Sequence, residues 1–156
     1  MIMGKALDLY DREEFYRCLQ CAVCTGSCPT ARVVEGFNPR ELILRYMLYG
    51  EEEEVLADEK LWCCTTCHAC QERCPHEITI SGLLTHIMNL AARRGNLPKN
   101  LRDTIGLMAS TGWSVRATPR TDRVREGLGL KPLQRPNSDE IRMILREAGL
   151  GEILEI

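Results

Sequence analysis

Cys18-Leu-Gln-Cys21-Ala-Val-Cys24-Thr-Gly-Ser-Cys28-Pro29 is matched further along the chain by Cys64-Thr-Thr-Cys67-His-Ala-Cys70-Gln-Glu-Arg-Cys74-Pro75. Both stretches read C-x2-C-x2-C-x3-C-P, so all but one of the nine cysteines fall into two equal sets. Thiolates are soft ligands that select zinc, copper(I) and iron–sulfur clusters. A [4Fe–4S] core needs one terminal thiolate per iron, and each run supplies four such ligands within a short segment. The spacing predicts two [4Fe–4S] clusters and a task of moving one electron at a time. Pro29 and Pro75 fix φ and remove a backbone donor, which turns the chain out of each site.

Other uses of cysteine fit less well. Structural zinc also takes C-x2-C pairs, but as two pairs per metal at a longer separation. A disulfide framework suits neither an odd cysteine count nor an N-terminus without a charged-then-apolar signal pattern. A radical-enzyme spacing, C-x3-C-x2-C, can be forced onto Cys63, Cys67 and Cys70 only by ignoring the complete run that starts at Cys64. Cys63, the ninth cysteine, reads as a small buried residue beside a cluster; the alternative is a spare ligand or a redox-active thiol. Trp62 reads as a cover that keeps water from the second cluster. His68, His76 and His86 are not read as ligands. An N–H of His68 or His76, in or beside the second run, could bond a cluster sulfur and raise its potential.

The spacing resembles that of bacterial two-cluster ferredoxins, in which the fourth cysteine of each run reaches the other cluster. That resemblance implies crossed ligation: Cys18, Cys21, Cys24 and Cys74 on one cluster, and Cys64, Cys67, Cys70 and Cys28 on the other. The small βαβ-type ferredoxins have a tighter internal repeat with short strands. Here the interval from Cys28 to Cys64 holds helix signals. Asn38 and Pro39 stand in N-cap and N1 order, Leu42, Ile43, Tyr46 and Met47 mark one face, and Gly50 ends the helix. Residues 51–57 form a short acidic turn. A second amphipathic helix starts at Ser81, runs through Leu83, Leu84, Ile87 and Met88, and closes at Arg93, Arg94 and Gly95. Further helices are predicted from Pro98, with Leu101, Ile105 and Met108 at helical spacing, and from a Ser138 cap over Asp139 to Ala148. The fold class is all-α: an α-helical ferredoxin-like domain over residues 1–95, then a helical and irregular extension over 96–156. Thr118-Pro119, Gly127-Leu-Gly129, Lys131-Pro132 and Arg135-Pro136-Asn137 read as turns within it. An extension of this kind buries little surface alone and reads as a docking segment for partner proteins.

Formal net charge is −2, unevenly spread. Residues 1–94 carry 10 Lys and Arg against 14 Asp and Glu, whereas residues 95–135 carry 8 against 3. The basic stretch suits an acidic protein surface. Nucleic-acid binding is not indicated, because Trp113 is its sole aromatic residue and no nucleic-acid module accompanies it. No apolar run is long enough to span a membrane, and reduced thiols suit the cytoplasm. No phosphate-cradling glycine run is present, so no nicotinamide or flavin site is read, and no catalytic residues are assigned.

Phe15-Tyr-Arg-Cys-Leu-Gln-Cys-Ala-Val-Cys-Thr-Gly-Ser-Cys-Pro29, Asn38-Pro-Arg40 and Trp62-Cys-Cys-Thr-Thr-Cys-His-Ala-Cys-Gln-Glu-Arg-Cys-Pro75 together resemble the C subunits of heterodisulfide reductase. The resemblance covers about residues 10–95. It implies a non-catalytic electron-transfer subunit of a soluble oxidoreductase complex. The A subunit of heterodisulfide reductase, with flavin and iron–sulfur clusters, would be the donor. The B subunit, which reduces the coenzyme M–coenzyme B heterodisulfide in methanogenesis, would be the acceptor. A hydrogenase or formate dehydrogenase would join the larger assembly. A relay to a different acceptor, in a related thiol:disulfide or quinone-linked reductase, is the alternative, and a zinc-binding adaptor is a third. The same twin motif occurs in the iron–sulfur proteins of succinate dehydrogenase and fumarate reductase. Those carry a [2Fe–2S] domain upstream, for which the seventeen residues before Cys18 leave no room.

Overall fold

The structure is a computed structural model and describes residues 12–134 and 136–154. Residues 1–11 of the expected first domain, Arg135 of one expected turn and the last two residues lie outside the described residues. No strand occurs among the described residues; the elements are α-helices and 3-10 turns. The chain divides into two compact units, with the boundary between Asn96 and Leu97.

In the first unit the cysteine runs contribute the two shortest helices. These are α1 (Val23–Ser27) and α4 (Ala69–Glu72), and they pack on each other. Around them lie α2 (Pro39–Met47), α3 (Glu52–Ala57) and α5 (Ile80–Arg93), with 3-10 turns at Arg12–Arg17, Thr30–Arg32 and Glu59–Cys63. α5 is the centre of the packing. Its Ile80, Leu83, Leu84, Ile87 and Ala91 recur at helical spacing and are all buried against α2, α3, α4 and the Glu59–Cys63 turn. Val55, Leu61, Leu83, Ile87 and Ala91 have no exposed surface at all.

α2 starts where the sequence predicts. The Asn38 side chain accepts from the Glu41 N–H at 3.2 Å and Pro39 fills the first position. The same cap reaches the first cysteine run, because Thr25 Oγ1 donates to Asn38 Oδ1 at 2.6 Å and accepts from the Arg40 N–H at 3.3 Å. α2 stops at Met47, short of Gly50. Beyond it, Arg45 Nε donates to Glu51 Oε2 at 2.6 Å, and its guanidinium lies 3.6 Å from Asp58. That clasp ties α2 to the start of α3 and to the residue capping the Glu59–Cys63 turn. The N-terminal turn is fastened by the Thr79 N–H, which donates to Glu14 Oε2 at 3.0 Å.

The second unit holds α6 (Lys99–Thr111), α7 (Pro119–Gly127), α8 (Ser138–Glu147) and α9 (Leu150–Leu154). α8 packs on both α6 and α9, and Arg102 donates to the Ile153 carbonyl at 3.0 Å. Ala109 and Leu145 are its only buried apolar side chains among the described residues, so this unit has little core. Gly112 closes α6 at φ +76°, and a Cβ there would run into the Pro136 ring.

Three sequence expectations need correction in this unit. Thr118-Pro119 is the cap and first residue of α7, where a turn was expected; Thr118 and Thr121 bond reciprocally as a capping box. The cap of α8 is Asn137, whose side chain accepts from the Asp139 and Glu140 N–H groups, so Ser138 is the first helical residue. α8 is also not the last helix, since α9 follows Gly149.

Candidate iron–sulfur site

The backbone turns the two runs in the same way. Gln20 (φ 55°) and Ala22 (φ 61°) flank Cys21, and Thr66 (φ 50°) and His68 (φ 61°) flank Cys67. Four non-glycine residues in left-handed conformation each cost about 1 kcal/mol or more, so the packing around each run must hold them there. The result is that the second cysteine of each run is exposed, while Cys24, Cys28, Cys64, Cys70 and Cys74 draw inward.

One cavity collects sulfurs from both runs. Cys18, Cys21 and Cys24 line it together with Cys74, the last cysteine of the second run. Phe15, Ile43, Ile78 and Ile80 make its walls apolar, and Arg40 and His76 also line it. Burial pushes the Cys64 thiol up, and the thiols of Cys28, the last cysteine of the first run, and of Cys67 add to that shift. Thr30 Oγ1 fixes this pairing by donating to the Cys63 carbonyl at 3.1 Å, which ties the end of the first run to the start of the second.

Three of the thiols have their pKa raised above the ordinary value. Burial pushes the Cys24 thiol up against the opposing bonds from Thr25, and pushes Cys70 up to about 11, with Cys64 adding to the shift. Such thiols do not ionise on their own near neutrality. Iron binding must displace their protons, so loading releases protons.

The residues present suit the clusters. Among the described residues no three His, Cys, Asp or Glu side chains converge as one metal ion would require. A cubane does not ask that of them, because each thiolate binds a different iron. One buried polar atom also lacks a protein partner, the Trp62 indole Nε1, which lies two residues before Cys64.

The remaining sequence candidates fall into place around this arrangement. Cys63 is half-buried against the core and does not line the four-sulfur cavity. His68 Nδ1 lies 3.0 Å from Ser81 Oγ, and Ser81 gives its hydroxyl proton to Gln71 Oε1 at 2.5 Å, so Nδ1 is the donor. His76, expected beside the second run, lines the cavity of Cys18, Cys21 and Cys24, because it follows Cys74 into it. His86 is buried on α5. The sequence reading missed Arg40. The signal was Asn38-Pro39-Arg40 itself: a cap that bonds Thr25 carries the next side chain to the first cysteine run.

Arg40 lines the cavity of Cys18, Cys21, Cys24 and Cys74, and a cation near a cluster bound there would favour the reduced, more negative state. Arg40→Gln is therefore expected to lower the potential of the cluster at that cavity by on the order of 1 kcal/mol, roughly 40 mV for one electron. A redox titration followed by electron paramagnetic resonance measures it. An unchanged potential would mean that the guanidinium is fully screened.

A 4Fe-4S dicluster domain family matches residues 14–78. Curated relatives extend over most of the chain. The C2 subunit of the H(2)/formate:CoB-CoM heterodisulfide,ferredoxin reductase of Methanococcus maripaludis is 33% identical over 143 residues, covering 88% of this chain and 76% of the relative. The C subunit of the ferredoxin:CoB-CoM heterodisulfide reductase of Methanosarcina mazei is 40% identical over 116 residues, covering 74% and 70%. The C subunit of the ferredoxin/F(420)H(2)-dependent CoB-CoM heterodisulfide reductase of Methanosarcina acetivorans is 38% identical over 133 residues, covering 85% and 77%. The dicluster match and the cysteine sets agree on the cofactor, two [4Fe–4S] clusters.

Proposed function

The chain belongs to the family of heterodisulfide reductase C subunits, and from that premise we propose that it is the non-catalytic electron relay of such a complex. Electrons enter from the A subunit, which holds flavin and iron–sulfur clusters. They leave to the B subunit, which reduces the coenzyme M–coenzyme B heterodisulfide. When bound, each [4Fe–4S] cluster accepts and releases one electron at a time. Cys18, Cys21, Cys24 and Cys74 hold one cluster, and Cys64, Cys67, Cys70 and Cys28 hold the other. The single observation that carries this reading is the cavity in which Cys74 joins three cysteines of the other run.

The protein residues do the rest. Crossed ligation, with α1 on α4, keeps the two sets adjacent in an α-helical ferredoxin arrangement. Phe15, Ile43, Ile78 and Ile80 exclude water from the first set. The exposed Cys21 and Cys67 bring each set to the surface, where a partner's redox centre can approach. No helix among the described residues is long and apolar enough to cross a membrane. We place the relay in the cytoplasm, where thiols stay reduced.

The second unit is read as the docking segment. Val124, Leu128 and Leu130 are exposed on and after α7, beside Arg120, Arg123 and Arg125. Truncation after Asn96 keeps the Asn96 side-chain bond to the Leu56 carbonyl and removes the whole second unit. The truncated chain is expected to retain both clusters but to bind its partner proteins at least tenfold more weakly. Added salt should weaken binding of the full chain more than that of the truncated one. Anaerobic purification with partner identification by mass spectrometry, followed by titration of the two forms, tests both points. Equal assembly and equal electron passage would make the second unit a passive extension. Co-purification with a reductase of another acceptor would move the relay to that complex.

A further inference from the structure

Trp62 lies in the Glu59–Cys63 turn, half-buried against the core, two residues before Cys64. Its indole Nε1 is shielded from solvent and has no hydrogen-bond partner. No acceptor of the protein, cysteine sulfur included, lies in bonding geometry. It is the only such side-chain donor or acceptor among the described residues. A buried N–H without an acceptor is unfavourable, and the indole nitrogen can only donate. A phenylalanine would cover the second run equally well without that cost. The position of Trp62 is also tightly set. Leu61 before it is fully buried, and the Cys63 carbonyl after it accepts from Thr30, the residue that follows Cys28-Pro29. The indole therefore belongs to the side of the molecule where Cys28 and Cys64 meet.

We propose that the Trp62 Nε1–H donates a hydrogen bond to an inorganic sulfide of the cluster held by Cys64, Cys67, Cys70 and Cys28. The proposal rests on the ligand sets given above. A sulfide carries more negative charge in the reduced cluster, so a donor aimed at it strengthens on reduction and raises the potential. Trp62 is thus a tuning residue that makes this cluster the better electron acceptor. The same bond would satisfy the one orphaned buried donor.

The test uses the full-length, cluster-loaded chain, with iron content measured first. A chain lacking the second cluster would overturn the ligand reading itself. In the loaded chain, Trp62→Phe is expected to lower the midpoint of one cluster so that its reduced-to-oxidised ratio at fixed poise falls about threefold. At 59 mV per tenfold for one electron, that is about 28 mV. The other cluster should keep its midpoint. Cys67→Ser, which alters the signal of the second set alone, identifies which cluster moved. The chain has two tryptophans, so Trp113→Phe leaves Trp62 as the sole indole. With 15N-labelled tryptophan in that background, pulsed electron paramagnetic resonance of the reduced protein should detect a 15N coupling to the second cluster. This measurement does not depend on the Trp62→Phe variant folding. Absence of the coupling in a protein carrying both clusters, or an unmoved midpoint in Trp62→Phe, would overturn the proposal and leave the relay reading standing. A coupling to the cluster of Cys18, Cys21 and Cys24 would equally overturn it.

Discussion

Cys74→Ser is expected to damage the cluster proposed for Cys18, Cys21 and Cys24, although Cys74 belongs to the other run. Its side chain lines the same cavity as those three, and serine offers a harder, less readily ionised ligand than thiolate. Iron should fall from about eight per chain toward about four, or one cluster should degrade to a three-iron form. The signals of the other cluster should persist. Cys28→Ser should produce the mirror result, removing the cluster of Cys64, Cys67 and Cys70. Cys63→Ser should leave both clusters in place, because each proposed set already has four thiolates without Cys63. Iron and acid-labile sulfide assays with low-temperature electron paramagnetic resonance read all three variants. If Cys74→Ser spares the first-run cluster and destroys the second, each run closes on its own cluster and the crossed assignment is wrong.

Leu83→Ala is expected to be strongly damaging although it touches no cysteine. Leu83 has no exposed surface and sits mid-α5, the helix that α2, α3, α4 and the Glu59–Cys63 turn all contact. Truncating it leaves a cavity that its neighbours fill only in part, at a cost of about 2–5 kcal/mol. For a unit of this size each kcal/mol moves the midpoint by roughly 4–8 °C, so a loss of roughly 10 °C or more is expected. Cluster absorbance during anaerobic heating follows it. Release of iron makes the unfolding irreversible, so the comparison must be made at one scan rate. Leu128→Ala, at a side chain 69% exposed in the second unit, should leave the same transition where it was. Similar losses in both variants would mean that α5 is not the core of the cluster-bearing unit.

What could be read from the chain was what residue type alone specifies. The two-cluster cofactor was legible because the twin cysteine runs repeat one spacing, and the dicluster family match covers both. α2 was legible because Asn38 and Pro39 each favour one position at a helix start, and α5 because its apolar residues recur over nearly four turns. α7 was missed for the converse reasons. Thr118-Pro119 is as good a turn as it is a helix start, and Val124 is nearly the only apolar residue in the helix to give it a period. Asn137 and Ser138 are adjacent residues of equal capping strength, so only geometry decides between them. The left-handed turns at Gln20, Ala22, Thr66 and His68 carry no glycine to announce them. That Arg40 lines the first cavity and that the Trp62 N–H is buried without a partner depend on the packing, and no local pattern encodes that.

Rapid freeze-quench electron paramagnetic resonance on the assembled complex bears most directly on the relay itself. After the flavin-bearing partner is reduced, both cluster signals of this chain should appear before heterodisulfide is consumed. On addition of heterodisulfide both should vanish at least as fast as the complex turns over. Clusters that stay oxidised, or stay reduced, while the disulfide is reduced at full rate would contradict the relay.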